Sequence, residues 1–246
     1  MQNLDIRVHS IESFGTHDGP GIRMVIFLQG CKFRCLYCHN PDTIPFDGGQ
    51  FYKMEHLLRR AVSLKSYYGK EGGVTFSGGE PLIQSQQLIP LCKALKEENI
   101  HINIDTNGRV LNEYSKEILD NYADLVMLDI KHIDDDWHHK LTGLTNANTL
   151  KFAEYREKSG KPMWLRHVLV PGWNDQEEFL HSFGQYFKDY KTIQKVEIIP
   201  YHKLGIHKWK VMGWKYELED VPENTPEQKE RAYNILSQYF DNVKIN

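Results

Sequence analysis

The chain has 246 residues, 40% of them hydrophobic, which is enough for one large domain or two small ones with a substantial core. Its net charge of −3, with no block of five or more like charges, argues against nucleic acid as a partner. The first residues lack the apolar core of a signal peptide, and no apolar run approaches the ~18 residues that span a bilayer. We therefore expect no membrane association and a cytoplasmic location.

The first predicted elements are two strands that lead to a cysteine-rich loop. An apolar alternation that begins at Asp5 predicts one strand, and the apolar run over residues 22–30 predicts another. Between them lies the turn-rich sequence THDGPG, at residues 16–21. After the cysteines, residues 40–49 are expected to form a loop, and residues 54–68 carry apolar side chains at helical spacing.

A strand followed by a helix then recurs along the chain. The predicted strands are 73–76, 101–104, 124–128, 163–170 and 195–199, and a short strand is predicted at 242–245. The predicted helices are 85–98, 113–122, 135–141, 149–158, 176–190 and 226–240. Serial strand-helix units predict parallel strands with helices outside, because a parallel connection needs a crossover segment. Six units are fewer than the eight of a complete barrel, so we expect one domain over residues 1–246 that forms a partial (β/α)6 barrel, an α/β fold. A doubly wound sheet is the alternative.

Three cysteines lie close together directly after the second strand. Cys31, Cys35 and Cys38 occupy positions i, i+4 and i+7 of the segment CKFRCLYC. Thiolates are soft ligands suited to iron-sulfur clusters, zinc or copper(I). A 4Fe-4S cluster normally takes four protein sulfurs, so three cysteines would leave one iron open for a substrate or cofactor. The alternative is a closed zinc site completed by His39, although adjacent Cys38 and His39 would need a cramped local geometry. The remaining cysteine, Cys92, lies in a helical pattern and is expected to be buried.

Unusual polar residues follow the predicted parallel strands, at the edge where such folds bind ligands. After the cysteine loop come Ser77–Glu80, Asp105–Gly108, Asp129–Lys131, residues 171–174, and Tyr201 with His202. Any one of these would be explained by turn or cap formation alone. Their joint placement at one edge, together with the thiols, is what favours a ligand site.

Individual residues in this set suggest particular roles. Gly78 and Gly79 allow backbone to approach a ligand and expose amides, while Glu80 offers a carboxylate for an ammonium group; a tight turn is the alternative. Carboxylates after neighbouring strands repel each other unless a proton, a lysine or a cation offsets them, as Lys131 could for Asp129. The rings of Tyr201 and His202 could stack on a base, or His202 could equally be a packed or capping histidine.

Two motifs carry a resemblance to a known family. The segment CKFRCLYC resembles the CxxxCxxC motif of radical S-adenosylmethionine enzymes, and SGGEP resembles their GGE motif. More narrowly, the chain is similar to the activating enzymes of pyruvate formate-lyase, through THDGPGIR, QGCKFRCLYCHNPDT, VTFSGGEP, DTNG, DLVMLDIK, VLVPGWND and PYHKLGIHKW. Many activating enzymes of other glycyl radical enzymes carry a cysteine-rich insert after the first motif, whereas residues 39–72 contain no cysteine.

The resemblance implies a set of cofactors and the residues that hold them. It implies one 4Fe-4S cluster on Cys31, Cys35 and Cys38, with S-adenosylmethionine chelated to the open iron. The residues expected to contact S-adenosylmethionine are Tyr37, Cys38, His39, Gly79, Asp129, Ile130, Lys131 and His202. The residues expected to form a monovalent-cation site are Asp105, Thr106, Met127 and Asp129. Asp18, in the DGPG turn, matches a position that contacts the substrate peptide.

The resemblance also implies the reaction and the partners. In the family, one electron from the reduced cluster cleaves S-adenosylmethionine, and the 5'-deoxyadenosyl radical takes a hydrogen atom from a backbone glycine of pyruvate formate-lyase. The expected electron donor is a low-potential protein such as flavodoxin. Because the cofactors carry the chemistry, we expect no protein nucleophile or general base. The alternatives are a radical enzyme with a small-molecule substrate, similar to 7-carboxy-7-deazaguanine synthase, and a non-catalytic zinc module.

Overall fold

A computed structural model describes residues 5–246, in which strands and helices alternate along the chain. The strands are β1 Ile6–Gly15, β2 Arg23–Leu28, β3 Gln50–Tyr52, β4 Gly73–Gly78, β5 His101–Thr106, β6 Leu125–Asp129, β7 Met163–Leu169, β8 Ile193–Pro200 and β9 Val243–Ile245. The helices are α1 Met54–Ser63, α2 Ser85–Glu97, α3 Glu113–Asn121, α4 Asp135–Thr142, α5 Ala147–Lys158, α6 Glu177–Phe187, α7 Ile206–Val211 and α8 Pro226–Leu236. No helix of residues 5–246 is long and apolar enough to cross a membrane.

The chain divides into two compact units. The first comprises the residues up to Lys32 together with Thr43–Met127. Within it the strand order is β3-β1-β2-β4-β5. Strands β2, β4 and β5 are parallel, whereas β1 pairs antiparallel with β2 and β3. Strand β4 is buried along nearly its whole length, as expected for a parallel strand covered on both faces.

The second unit comprises Phe33–Asp42 and Leu128–Asn246. Strands β7, β8 and β9 are parallel, and the strand order within this unit is β7-β8-β9. The boundary between the units lies inside β6. Directly after β6, the Ile130 N–H donates to the Arg166 carbonyl of β7 at 2.9 Å.

Helix α2 shows why the apolar spacing of the sequence produces a buried helix face. Its fully buried residues Leu88, Leu91, Cys92 and Leu95 recur at i, i+3, i+4 and i+7, which places them on one side of the helix. Full burial of a leucine side chain contributes about 1.5–3 kcal/mol. The prediction that Cys92 is a buried apolar residue is confirmed.

The predicted fold class, an α/β chain with parallel strands and intervening helices, is confirmed. Three local details differ from the prediction. Helix α1 ends at Ser63, and Lys65–Tyr67 forms a separate 3-10 turn. Strand β3 and helix α7 were not predicted, because both are too short to show a periodic apolar pattern. The prediction of a single domain over residues 1–246 stays a prediction.

Candidate functional site

The cysteine loop is held by backbone hydrogen bonds within each unit. In the first unit, the Cys31 N–H donates to the Ile44 carbonyl at 3.1 Å. In the second, Arg34 N–H donates to the Thr142 carbonyl at 2.8 Å, and Leu36 N–H donates to the Leu141 carbonyl at 3.0 Å. Those two carbonyls belong to the last turn of α4, where the carbonyl oxygens have no N–H donor within the helix. The cysteine loop thus caps the C-terminal end of α4.

All three cysteines of the loop are reduced. Cys31 and Cys35 are buried, and Cys38 is half-buried. Burial raises the pKa of the Cys35 thiol to about 12, although the nearby Lys131 ammonium acts in the opposite direction. The Asn107 side-chain amide donates to Cys31 Sγ at 3.6 Å. Such buried thiols ionise when a metal takes the place of the proton.

Across residues 5–246, no three His, Cys, Asp or Glu side chains are grouped closely enough to hold a metal ion. The assignment of Cys31, Cys35 and Cys38 as cluster ligands therefore rests on their spacing in the chain and on the chemistry of thiolates.

Tyr37 provides a buried polar group that faces no protein partner in the described part of the chain. Its side chain is almost fully buried, and its hydroxyl forms no hydrogen bond there. Burial raises the pKa of this hydroxyl, which therefore remains protonated. Lys131 Nζ lies 5.5 Å from the centre of the Tyr37 ring. Since buried polar groups are normally paired, a bound ligand is the expected partner of this hydroxyl.

His39 and His202 form a stacked pair. Their ring centres are 4.0 Å apart with an interplanar angle of 24°, and His39 Nε2 lies 3.2 Å from the His202 carbonyl oxygen. Burial, followed by electrostatic repulsion from the neighbouring His202, lowers the pKa of His39 to about 4. His39 is therefore neutral near pH 7, and its Nε2 donates to the carbonyl. The ring of His202, predicted to stack on a base or to be a packed histidine, packs against another histidine in this structure.

Asp129 is the centre of a buried ionic group. Its two carboxylate oxygens receive Lys131 Nζ at 2.7 Å and Arg166 Nε at 2.9 Å. Burial alone would raise the pKa of Asp129, but Arg166 and Lys131 outweigh it and lower the pKa to about 2. Asp129 in turn keeps the pKa of Lys131 well above its usual value despite burial. One carboxylate thus contacts two cationic side chains.

The predicted role of Lys131 as the counter-charge of Asp129 is confirmed by that contact, whereas Arg166 was missed. An arginine in the middle of an apolar strand was the available signal. Asn174 also matters, because its amide donates to the Lys131 carbonyl at 3.1 Å and to the Val168 carbonyl at 2.8 Å. Ile130 is buried, and its carbonyl accepts a hydrogen bond from His167 Nδ1 at 2.8 Å.

The GGE segment follows β4 and is tightly packed. Gly78 has a φ of 101°, and a Cβ on Gly79 would lie 2.3 Å from the Gly30 carbonyl oxygen, so neither position accepts a side chain. The prediction that this turn exposes its amides is wrong for two of them. Gly79 N–H donates to the Leu28 carbonyl at 2.8 Å, and Glu80 N–H donates to the Gly30 carbonyl at 2.9 Å.

The Glu80 carboxylate is buried and already accepts three hydrogen bonds. The donors are Thr106 Oγ1 at 2.7 Å, Asn107 N–H at 2.9 Å and Leu82 N–H at 3.1 Å. Burial raises the pKa of Glu80 to about 7, and the three hydrogen bonds oppose that rise. The structure therefore supports the alternative that Glu80 stabilises a tight turn.

The side chains predicted to form a cation site contact other protein groups. Asp105 Oδ2 accepts from Ser77 Oγ at 2.6 Å, and Thr106 Oγ1 donates to Glu80. Met127 Sδ accepts from the Asn103 amide at 3.0 Å. Asp129 is neutralised by Lys131 and Arg166, as described above.

The turn that contains Asp18 is anchored by its backbone. The Asp18 carbonyl accepts from Thr75 Oγ1 at 2.7 Å and from the Asn103 amide at 3.0 Å. Arg23, which is fully buried, donates to the Pro20 carbonyl at 2.8 Å and to Thr75 Oγ1 at 2.6 Å. The Asp18 side chain is half-buried. A buried polar network therefore fixes the path of this turn beneath a partly accessible carboxylate.

The fold and the chain as a whole are similar to known proteins. The family model described as "Radical SAM superfamily" matches residues 25–183. The chain is 43% identical over 240 residues to "Pyruvate formate-lyase 1-activating enzyme" of Escherichia coli (strain K12), which covers 96% of this chain and 97% of that protein. It is also 43% identical over 237 residues to "Pyruvate formate-lyase-activating enzyme" of Staphylococcus aureus (strain USA300), over 94% of each chain.

Two solved structures show a similar fold. A domain of a pyruvate-formate lyase-activating enzyme from Bacteroides vulgatus ATCC 8482 superposes with a TM-score of 0.60 at 23% identity, over 71% of this chain and 99% of that one. Streptococcus suis SuiB, bound to its precursor peptide SuiA, superposes with a TM-score of 0.70 at 20% identity, over 96% of this chain and 50% of that one. The observed α/β class with parallel strands is consistent with the predicted partial barrel.

Proposed function

The chain belongs to the radical S-adenosylmethionine superfamily, and from this premise we propose that it activates pyruvate formate-lyase by forming a glycyl radical on it. One observation carries the proposal. The similarity to activating enzymes of this lyase extends over 96% of the chain at 43% identity, and the CxxxCxxC segment lies within it. Membership of this family sets aside the non-catalytic zinc module.

The cofactors of the family are a 4Fe-4S cluster and S-adenosylmethionine, and the residues present fit them. When bound, they supply one-electron cleavage that yields a 5'-deoxyadenosyl radical, which takes a hydrogen atom from a backbone glycine of the lyase. We assign Cys31, Cys35 and Cys38 as the cluster ligands. The Asn107 amide, which donates to Cys31 Sγ, suits a thiolate ligand, because hydrogen bonds to cluster sulfurs tune the reduction potential.

For S-adenosylmethionine, the assignment rests on groups that suit its polar parts. The cationic side chains of Lys131 and Arg166 suit a carboxylate, and the buried hydroxyl of Tyr37, which has no hydrogen-bond partner among residues 5–246, suits a polar ligand atom. We also assign contacts to Cys38, His39, Gly79, Ile130 and His202, as the family motifs imply. Gly79 packs against the Gly30 and Thr43 carbonyls, so its assignment rests on the family motif and not on an open space beside it.

For the substrate, we propose that Asp18 contacts the glycine-containing peptide of the lyase. The hydrogen bonds of Thr75 and Asn103 to its carbonyl hold this turn in place before the peptide binds. The chain's task is to hold the glycine Cα within about van der Waals contact of the reacting carbon and to exclude water.

Three further parts of the proposal concern the surroundings of the reaction. We propose a flavodoxin-like protein as the electron donor and the cytoplasm as the location. We also propose a monovalent cation on Asp105, Thr106, Met127 and Asp129. Because Asp129 already contacts two cationic side chains, the affinity for potassium is expected to be weak. A potassium titration of S-adenosylmethionine binding tests this.

The decisive experiment is anaerobic and uses electron spin resonance. Reconstituted protein, S-adenosylmethionine, dithionite and pyruvate formate-lyase are mixed, and a glycine-centred doublet on the lyase is the expected result. Replacing Cys35→Ala should abolish both the doublet and the cleavage of S-adenosylmethionine. Cys92→Ala is the matched control, since it removes a buried thiol that lies outside the motif, and it should retain both. Full activity of Cys35→Ala would refute the ligand assignment.

A further inference from the structure

Asn107 lies in the turn after β5, and its side chain contacts the first cysteine of the CxxxCxxC segment. The amide Nδ2 donates to Cys31 Sγ at 3.6 Å, a length suited to the large sulfur atom. Both residues are more than nine-tenths buried, so water does not compete for this contact. Trp209 also reaches the cysteine loop, but its indole N–H donates to the Cys38 carbonyl at 2.8 Å and not to a sulfur. Asn107 therefore acts directly on a proposed ligand atom.

The orientation of the Asn107 amide is fixed by a backbone group. Its Oδ1 accepts from the Arg109 N–H at 3.0 Å. A side-chain amide has one accepting oxygen and one donating NH2 group, so this bond leaves the NH2 group to face Cys31. A hydrogen-bond donor favours the charged form of an acid, which for a cysteine is the thiolate. The turn thus presents to Cys31 the end of the amide that suits a thiolate ligand.

Glu80 holds the backbone of the same turn. One oxygen of its carboxylate accepts from the Asn107 N–H at 2.9 Å, and the other accepts from Thr106 Oγ1 at 2.7 Å. Thr106 Oγ1 in turn accepts from the Gly108 N–H at 3.0 Å. The glutamate of the GGE segment is therefore connected to Cys31 Sγ through a single residue.

We propose that Asn107 sets the reduction potential of the cluster on Cys31, and that Glu80 is the positioning residue that keeps Asn107 directed at the sulfur. This inference rests on the proposed function, in which Cys31 is a cluster ligand. An added electron makes the ligand sulfurs more negative, so a hydrogen bond to one of them stabilises the reduced state and raises the potential. Glu80 thereby acts on the protein and not on an ammonium group, the role expected from the sequence.

The test is a redox titration of the reconstituted full chain with dithionite, followed by electron spin resonance, without S-adenosylmethionine or the lyase. Asn107→Leu keeps a branched side chain but removes the donor. The equilibrium constant for reduction should fall about tenfold, which is about 59 mV towards lower potential for one electron. Glu80→Gln leaves one accepting oxygen where two are used, and it should shift the potential in the same direction by a smaller amount.

Asn112→Leu is the matched control. It makes the same substitution five residues further along the chain, at the exposed N-cap of α3. Loss of this cap should lower the melting temperature, because the Asn112 side chain accepts from a backbone N–H of the first turn. It should leave the potential unchanged, so a general loss of stability is separated from the loss of the hydrogen bond to sulfur.

The sign of the shift also separates the proposed role from a structural one. A variant that only loosens the packing admits water, which stabilises the more highly charged reduced state and raises the potential. An unchanged or raised potential in Asn107→Leu would overturn the proposal. An unchanged potential in Glu80→Gln would overturn the positioning role of Glu80.

A measurement on unaltered Asn107 decides the case in which Asn107→Leu takes up no cluster. The chain is labelled with 15N in its asparagine side chains, reconstituted, reduced and studied by pulsed electron spin resonance. Asn40→Asp is included to remove the amide two residues after Cys38. A weak coupling to 15N is expected, and its absence would refute the contact. If the wild-type chain takes up no cluster, the proposed function fails together with this inference, whereas a normal cluster with unchanged potentials in both variants refutes this inference alone.

Discussion

Arg23 in the first unit and Arg166 in the second are both largely shielded from solvent, and the groups around them neutralise their charges in opposite ways. In the first unit, Arg23 is fully buried and bonds to carbonyl oxygens, the Thr75 hydroxyl and His101 Nδ1, with no ion pair to a carboxylate of residues 5–246. Burial lowers the pKa of Arg23 to about 10. In the second unit, Arg166 shares the Asp129 carboxylate with Lys131. One arginine is solvated by neutral dipoles, and the other belongs to an ion group.

The difference between the two arginine sites corresponds to a difference in their proposed roles. The carbonyl groups that converge on Arg23 belong to the turn before β2, to the segment before β4 and to strands β4 and β5, so this charge holds separate parts of the backbone together. The group around Asp129 consists of charged side chains that are assigned to a proposed ligand site. We therefore regard the charge bound to backbone dipoles as a structural feature and the group of charged side chains as a candidate for a binding role. The predictions below test this distinction.

The largest effect is expected for Asp129→Asn. This change removes the carboxylate that Lys131 and Arg166 both contact, and breaking a largely buried pair in this way costs about 3–5 kcal/mol. Urea denaturation of the variant and of the exposed control Asp189→Asn measures the difference. Equal stability of the two variants would show that the ion group does not need its carboxylate.

A smaller loss is expected for Arg23→Met, about 2 kcal/mol in the free energy of unfolding. Removing this guanidinium leaves the Pro20 and Glu71 carbonyls without their donor, but it also removes the cost of burying a charge. Denaturation should be compared with Arg59→Met, which changes an exposed arginine. Hydrogen exchange should also become faster in the 16–22 turn. A loss as large as that of Asp129→Asn would contradict the distinction drawn here.

A dependence on pH is expected at the Arg23 site. Burial, followed by the charge of Arg23, lowers the pKa of His101 to about 4, because Arg23 Nη2 donates to a neutral His101 Nδ1. The stabilising contribution is present above the ordinary histidine pKa of about 6.5 and is lost as the pH falls towards 4. For this partly exposed group the loss should be about 1 kcal/mol.

The comparison with His101→Asn isolates that contribution. Asparagine offers an oxygen in place of Nδ1 and does not titrate. Unfolding free energies of the two proteins should converge between pH 6.5 and pH 4 if His101 is the titrating group. Parallel pH profiles would assign the acid sensitivity to other residues.

The smallest effect on stability is expected for Arg166→Lys, below about 1 kcal/mol. Lysine preserves the charge that Asp129 requires but not the planar geometry of the guanidinium. The affinity for S-adenosylmethionine, measured by calorimetry, should fall more than the stability does. A variant with unchanged affinity would remove Arg166 from the proposed ligand site.

Sequence patterns predicted the parts of the molecule that depend on local order. The alternation of strands and helices appears in the periodicity of apolar residues, and Cys92 was correctly placed in a buried face. Two contacts between residues distant in sequence could not be predicted. The Arg166–Asp129 pair joins residues 37 apart in sequence, and the Trp209–Cys38 bond joins residues 171 apart. No local pattern encodes a partner at that separation, because the meeting depends on how the strands are arranged.

The hydrogen bonds of the cysteine loop also bear on how the protein matures in the cell. The backbone N–H groups of Arg34 and Leu36 donate to carbonyls at the end of α4, and the Cys38 carbonyl accepts from the indole N–H of Trp209. The ribosome synthesises α4 and Trp209 long after it has synthesised the cysteines. Until then the growing chain lacks the groups that hold the cysteine loop in its final conformation. Iron and sulfide are consequently expected to be inserted after synthesis is nearly complete. Chains truncated before Trp209 should therefore acquire no stable cluster when supplied with both.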